Sequence, residues 1–184
     1  MQTERRRLAE EAAGKIKLAV FDVDGVMTDG GLYYDAEGRI IKRYHVLDGV
    51  GLILLREGGL LIAVITAGQD GACVEERMKR LHVDALYQGV NKQTALEELK
   101  ERFGLEWEEM AYLGDDWVDL VPLKLVGLPM AVCNARKELK ELALYVTETP
   151  GGSGAVREVA EWLLTCQGKY DDILARWATP VTRS

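Results

Sequence analysis

The chain has 184 residues, 48% hydrophobic and 29% charged, with 23 Lys and Arg against 30 Asp and Glu and a net charge of −7. That length suits one domain with a sizeable core, the acidic balance argues against a nucleic-acid surface, and no apolar run is long enough to cross a bilayer. The opening MQTERRRLAEEAAGK lacks the apolar stretch of a signal peptide, and Cys73, Cys133 and Cys166 form no CxxC pair, so a cytoplasmic protein is expected, with no disulfide framework and the cysteines as small core residues.

Residues 1–14 read as a charged N-terminal extension to a domain over 15–169, with a tail over 170–184. The first buried strand, LAVF (18–21), runs straight into Asp22 and Asp24. GLYYDAEGRIIKRYHV (31–46) carries two β-rich arms, 32–35 and 40–46, around a DAEG turn and predicts a β-hairpin. A helix is expected near 49–57. The second strand, LLIAVI (60–65), ends in Thr66, and a helix near 70–81 follows it. The weaker strand DALY (84–87) leads to QGVNK, which places Lys92 at the start of a helix over 92–103. MAYL (110–113) runs into GDDWVD, which holds Asp115, Asp116 and Asp119, and a helix is expected near 117–126. MAVC (130–133), a helix near 136–143, the weak strand LYVT (144–147) and a helix near 154–166 complete the domain. The tail holds a short helix, YDDILARWA. Strand–helix alternation of this kind predicts an α/β fold, a doubly wound, Rossmann-like, mainly parallel sheet with helices on both faces.

In such sheets ligands bind beyond the carboxyl ends of the strands. Four separate connections deliver Asp22 and Asp24, Thr66, Lys92, and Asp115 with Asp116 and Asp119 to that edge. Crowded carboxylates repel one another and resist desolvation. A hard divalent cation relieves this, and oxygen-only ligands favour Mg²⁺. Lys92, a hydroxyl and backbone N–H groups add a receptor for a phosphoryl group. One carboxylate facing phosphorus is a nucleophile, and a second carboxyl two residues on can protonate the leaving oxygen and then activate water. This chemistry alone leaves open which of Asp22 and Asp24 attacks. Gly25 lets the chain turn sharply beside the phosphate. Taken singly, a DxD occurs in sugar transferases and on ordinary loops, Thr66 is a strand-end cap, Lys92 a solvated lysine, and GDDWVD an N-cap with first-turn acids. In this order, at four strand ends, coincidence is the poorer account.

FDVDGVMTDG, VIT, the NK of QGVNK, and GDDWVD resemble the four motifs of the haloacid dehalogenase (HAD) superfamily. TDGGLYYDAEG, YHVLDGVGL, LYQGVNK, YLGDDWVDL and TPGGSGAVREV are similar to the 3-deoxy-D-manno-octulosonate 8-phosphate (KDO 8-phosphate) phosphatase branch, over roughly residues 15–169. The resemblance implies a HAD-like phosphatase that hydrolyses KDO 8-phosphate to KDO and phosphate, within lipopolysaccharide biosynthesis. It implies that Asp22 is the nucleophile and becomes an aspartyl phosphate. Asp24 is then the general acid and base, with its backbone carbonyl on the metal, Thr66 holds the transferring phosphoryl group and Lys92 neutralises it. Asp22, Asp24 and Asp115 bind Mg²⁺, with Asp116 and Asp119 in support. Arg157 is expected to reach the substrate site from a neighbouring subunit.

A phospho-accepting receiver domain uses similar residues, but its acids precede the phosphorylated Asp and its Lys comes last; the order here is Asp, Thr, Lys, Asp-Asp. A non-catalytic HAD-like binding subunit is countered by the intact reactive set. The stretches from Asp29 to Thr66 and from Thr66 to Lys92 are filled by the elements above and leave no room for a cap domain, so a capless, open site is expected. Exposed hairpin arms and the resemblance together imply a homotetramer whose neighbours wall each site. His45 is expected as a paired edge-strand residue, His82 at the surface, and Trp107, Trp117, Trp162 and Trp177 in packing. One departure bears on the substrate: where the family commonly reads ITGR, this chain reads ITAGQ, with Ala67 and Gly68 and no arginine. Arginine is the usual bidentate partner of a carboxylate, so either Arg43 or a neighbour's Arg157 compensates, with Gln69 offering a neutral donor, or the substrate is a nine-carbon sugar-acid phosphate.

Overall fold

A computed structural model describes residues 2–69 and 72–179. The central strand is β1 (Leu18–Phe21), whose four residues are all buried. The chain then forms a short antiparallel pair, β2 (Tyr33–Tyr34) and β3 (Ile40–Ile41), and the helix α2 (Val46–Glu57). Next come β4 (Leu61–Thr66), α3 (Ala72–Leu81), β5 (Ala85–Gln88), α4 (Lys92–Phe103) and β6 (Met110–Gly114). A 3₁₀ turn over Trp117–Asp119 leads into α5 (Leu120–Leu125), and β7 (Leu128–Ala131), α6 (Lys137–Leu142), β8 (Tyr145–Val146), α7 (Ala155–Cys166) and α8 (Tyr170–Ala178) follow. Residues 2–13 form the helix α1 (Gln2–Ala13), which buries Ala9 and Ala13 in the common core.

Six strands make one sheet in the order β5-β4-β1-β6-β7-β8, every neighbour pair parallel. This is the doubly wound α/β fold. The central strands are buried on both faces, which is why LAVF and LIAVIT read as unbroken apolar runs rather than alternating ones. Helices α2 and α7 pack together with α1 and α8 against α7, and α4, α5 and α6 form a second group. The order places β4 and β6 on either side of β1, so the chain turns back at β1 and opens a crevice at its carboxyl end.

Several boundaries differ from expectation, for local reasons. The paired arms are only two residues long each. Asp35 Oδ1 accepts from the N–H groups of Glu37 and Arg39 and tightens the turn, while Tyr44 leaves the pair to bridge Thr28. His45 is not an edge-strand residue: its Nδ1 accepts from Leu47 N at 3.3 Å and caps α2, which starts three residues earlier than expected. Asp116 caps the 3₁₀ turn and delays the expected helix at 117 to Leu120. His82 is exposed, as expected, and adopts a positive φ of 53° just past α3. Trp162 stacks on Tyr145 at 4.0 Å and Trp107 packs against the core. Trp117 and Trp177, by contrast, are 58% and 52% exposed; Trp177 Nε1 donates to Glu57. The expected helix positions 70 and 71 and the tail residues 180–184 lie outside the described residues.

Candidate active site

Beyond the carboxyl end of β1 the sheet opens into a cleft of about 290 Å³ lined by Asp22, Asp24, Gly25, Thr66, Lys92, Asp115 and Asp116, with Gly30, Ala67, Gly68 and Val118 at its edges. A groove of about 500 Å³ beside β5, lined by Met78, Lys79 and Val83 among others, is larger but brings together none of the strand-end residues. The register explains the convergence: Phe21 pairs with Val64 and Leu113, so the ends of β1, β4 and β6 fall within two residues of one level, and Asp22, Thr66 and Asp115 come together beyond them.

Asp22 is buried. Its Oδ1 accepts from Val23 N at 2.7 Å and lies 2.9 Å from Lys92 Nζ. Burial pushes the Asp22 carboxyl up to about 7, with the Asp119 charge adding to the rise and the Lys92 ammonium opposing it. Burial by itself would lower the Lys92 ammonium, but the Asp22 and Asp119 carboxylates outweigh it and the net shift is upward. Lys92 therefore stays charged between two acids, at 2.6 Å from Asp119 Oδ1. Asn91 caps α4 through Oδ1, accepting from Gln93 N and Thr94 N, and so aims the first residue of the helix into the cleft.

Asp119 is fully buried and saturated. Oδ1 accepts from Lys92 Nζ and Tyr112 Oη, each at 2.6 Å, and Oδ2 from Asp115 N at 3.0 Å and Asp116 N at 3.3 Å. Four donors on one carboxylate make it the hub that ties β6, the 3₁₀ turn and α4 together. Asp115 is half-buried, and its carboxyl is pushed up to about 7, first by burial and then by the charges of Asp119, Asp116 and Asp24 against the opposing pull of Lys92. Gly25 shows why no side chain fits there: its φ is +81°, and a Cβ would lie 2.0 Å from Asp115 Oδ2. Thr66 is buried and its Oγ1 accepts from Gly68 N at 3.2 Å.

Asp22, Asp115 and Asp119 each present an oxygen within 4.8 Å of one another. The donors already on Asp119 leave Asp22 and Asp115 as the carboxylates with capacity for a cation. Their upward shifts say the same: each is a carboxylate whose negative form lacks sufficient compensation. The donor set is all oxygen, which suits a hard divalent ion.

Two expected substrate residues lie outside this cleft. Gln69 lies against Gly89 and lines a neighbouring cavity of about 540 Å³ with Asp35, Arg39, Ile40, Ile41, Ala72 and Cys73. Arg157, half-buried on α7, holds Glu161 at 2.7 Å. Sequence reasoning passed over four contributors. Lys42 pairs with Asp24, and Tyr112 binds the hub. Thr28 accepts at Oγ1 from Gly25 N and Gly30 N. Asn134 receives Gly151 N at 2.9 Å, which seats the glycine loop where a Cβ on Gly151 would fall 1.7 Å from Gly25 O. Of the four, Thr28 and Tyr112 fall inside the quoted FDVDGVMTDG and MAYL stretches without being singled out there, and the glycine loop that Asn134 seats falls inside PGGSGAVRE.

A doubly wound sheet that sets acid, hydroxyl, lysine and acid pair along one crevice defines a hydrolase of the haloacid dehalogenase-like class, and the model of that hydrolase family matches residues 73–159. The Escherichia coli 3-deoxy-D-manno-octulosonate 8-phosphate phosphatase is 41% identical over 161 residues, 87% of this chain and 85% of that one. The crystal structure of the Moraxella catarrhalis phosphatase in complex with a magnesium ion, a phosphate ion and a KDO molecule aligns with a TM-score of 0.89 at 37% identity, covering 92% of this chain and 97% of that one. The cobalt-bound Haemophilus influenzae phosphatase aligns with a TM-score of 0.83 at 38% identity, over 86% and 93%. This chain belongs to the KDO 8-phosphate phosphatase family and is a phosphoric monoester hydrolase.

Proposed function

We propose that the protein hydrolyses KDO 8-phosphate to KDO and inorganic phosphate through an aspartyl phosphate on Asp22. The observation that carries this is the buried Asp22 carboxylate at the end of β1, in contact with Lys92 and facing a cleft shared by Thr66, Asp24 and Asp115. An Asp22 oxygen bonds to phosphorus as the ester P–O bond breaks, and the leaving sugar oxygen takes the proton of the Asp24 carboxyl. Water then attacks the phosphorus, Asp24 takes back one of its protons, and the acyl-phosphate bond breaks to restore Asp22. Lys92 draws negative charge toward the transferring group, and Thr66 Oγ1 and nearby backbone N–H groups hold its oxygens. Asp22, Asp115 and the backbone carbonyl of Asp24 would hold Mg²⁺, which when bound neutralises the charge between nucleophile and phosphate.

The chain assembles as a homotetramer in this reading, supported by the exposed apolar side chains of the β2–β3 pair, Leu32, Tyr33, Tyr34 and Ile41. A cytoplasmic setting is supported by Cys73, Cys133 and Cys166 being thiols. A second substrate reading, a nine-carbon sugar-acid 9-phosphate, is favoured by Ala67 and Gly68 standing where the family carries Gly-Arg. Loss of one charge-assisted contact is worth roughly 1.5–3 kcal/mol, about ten- to a hundredfold in affinity. A phosphate-release comparison of KDO 8-phosphate, the nine-carbon acid phosphate and a simple ester tests both, on native protein and Gly68→Arg. A strong native preference for KDO 8-phosphate that Gly68→Arg does not improve supports the first reading. Turnover of all three at similar kcat/KM, or turnover unaffected by EDTA, sinks the assignment.

A further inference from the structure

One charged group at the cleft has no place in the scheme above. Lys42 follows β3 directly. Its side chain is 1% exposed, while its neighbours face outward, Arg43 at 54% and Ile41 at 52%. Alternation along the extended arm turns Lys42 in and its neighbours out. An ammonium is costly to bury without an acceptor, and among the described residues it meets Asp24 Oδ1 in direct ionic contact. Asp24 is itself 40% exposed at the side chain and lines the reactive cleft. One carboxyl oxygen therefore points back to Lys42, and the other remains for the cleft.

We propose that Lys42 is a positioning residue for the reaction: its ammonium holds Asp24 Oδ1 so that Oδ2 carries the proton to the leaving oxygen and later receives one from water. The inference rests on the reading of Asp24 as the general acid and base. Proton and bond changes are those already described; Lys42 neither gains nor loses a proton. A short, exposed β-pair thereby acquires a function inside the site, because its second arm delivers the buried ammonium. The geometry also explains the turn of the chain at Tyr44. By bridging Thr28, Tyr44 anchors the arm two residues past Lys42 to the loop that carries Asp24.

The test uses leaving groups. A sugar alkoxide needs a proton to depart, whereas nitrophenolate departs as a stable anion. Lys42→Met keeps the length of the side chain and removes the charge. With KDO 8-phosphate it is expected to lower kcat about 100-fold, the scale of a general-acid contribution, with KM within about threefold. With 4-nitrophenyl phosphate the loss is expected to stay within about threefold. Lys42→Arg is expected to restore most of the sugar-phosphate rate. Asp24→Asn serves as reference and should discriminate between the two esters in the same direction, and Lys42→Met added to it should cost little more. Thermal unfolding confirms that each variant is folded; should Lys42→Met fail that check, Lys42→Gln takes its place. If Asp24→Asn discriminates while folded Lys42→Met loses both esters equally or neither, Lys42 has no positioning role. If Asp24→Asn itself shows no discrimination, the general-acid reading of Asp24 falls and the inference falls with it.

Discussion

The cleft edge of the sheet and the β2–β3 pair carry opposite debts to solvent. In the cleft, charge is buried and answered from within the chain. Lys92 lies between Asp22 and Asp119, and Asp119 collects four donors. In the pair, apolar surface is left out: Leu32 is 64% exposed, Tyr34 61% and Ile41 52%. Chemistry at phosphorus demands a precise charge arrangement, so the fold supplies every counter-group itself except a cation for Asp22 and Asp115. The pair has no such internal complement, and its two-residue strands are too short to be stable on their own contacts. The difference separates what one chain completes by itself from what it leaves exposed.

The sharpest way to break the cleft side is to remove its nucleophile. Asp22→Asn is expected to lower phosphatase activity at least about 10³-fold, as loss of a covalent catalyst does, with the far-ultraviolet spectrum unchanged. Near-native turnover in that variant rules out the covalent route. The next effect is on stability. Lys92→Met leaves two buried carboxylates without their ammonium and is expected to cost about 3–5 kcal/mol in urea unfolding. A loss below about 1 kcal/mol, the scale of an exposed pair, would mean that the acids were answered by something else.

The other half of the comparison is tested by charge at the pair. Light scattering of the native protein should give about four times the 20.5 kDa chain mass. Tyr34→Asp, which places a charge on the exposed apolar face, should reduce it. A native monomer with full activity would refute the view that neighbours complete the site. The smallest expected effect is a pH dependence. The Asp115 carboxyl sits at about 7 in the folded chain, above its ordinary value. The folded state therefore holds a proton that the unfolded state releases. The stability this gives is complete below the ordinary carboxylate range and is lost as pH rises through about 7. The melting temperature of chelated protein should fall between about pH 5 and pH 8, and added Mg²⁺ should raise it more at the higher pH, because a cation replaces that proton. An increase in stability over that range without metal would contradict the burial argument.

Strand-end chemistry was legible in the sequence, and the reason is local. Apolar runs mark buried strands, and Asp22, Thr66, Lys92 and Asp115 stand at or beside the ends of such elements, so their convergence follows once the sheet is parallel. The helix starts at Val46 and Leu120 were misjudged because His45 and Asp116 act as caps through side chains whose geometry no periodicity reports. Asp119 read as a supporting acid, and its saturation appears only when Tyr112, Lys92 and the turn after β6 are assembled around it.

By itself, then, the sequence determined the α/β alternation, the order of the reactive residues and the absence of room for a cap, because each depends on residue type and spacing along the chain. Tertiary structure alone decided that Lys42 meets Asp24, that Gly151 seats against the Gly25 carbonyl, and that Asp119 joins three elements. Those contacts link residues 18, 126 and 27 positions apart. Whether such groups meet depends on how loops and helices pack across the sheet, and spacing along the chain carries no record of that.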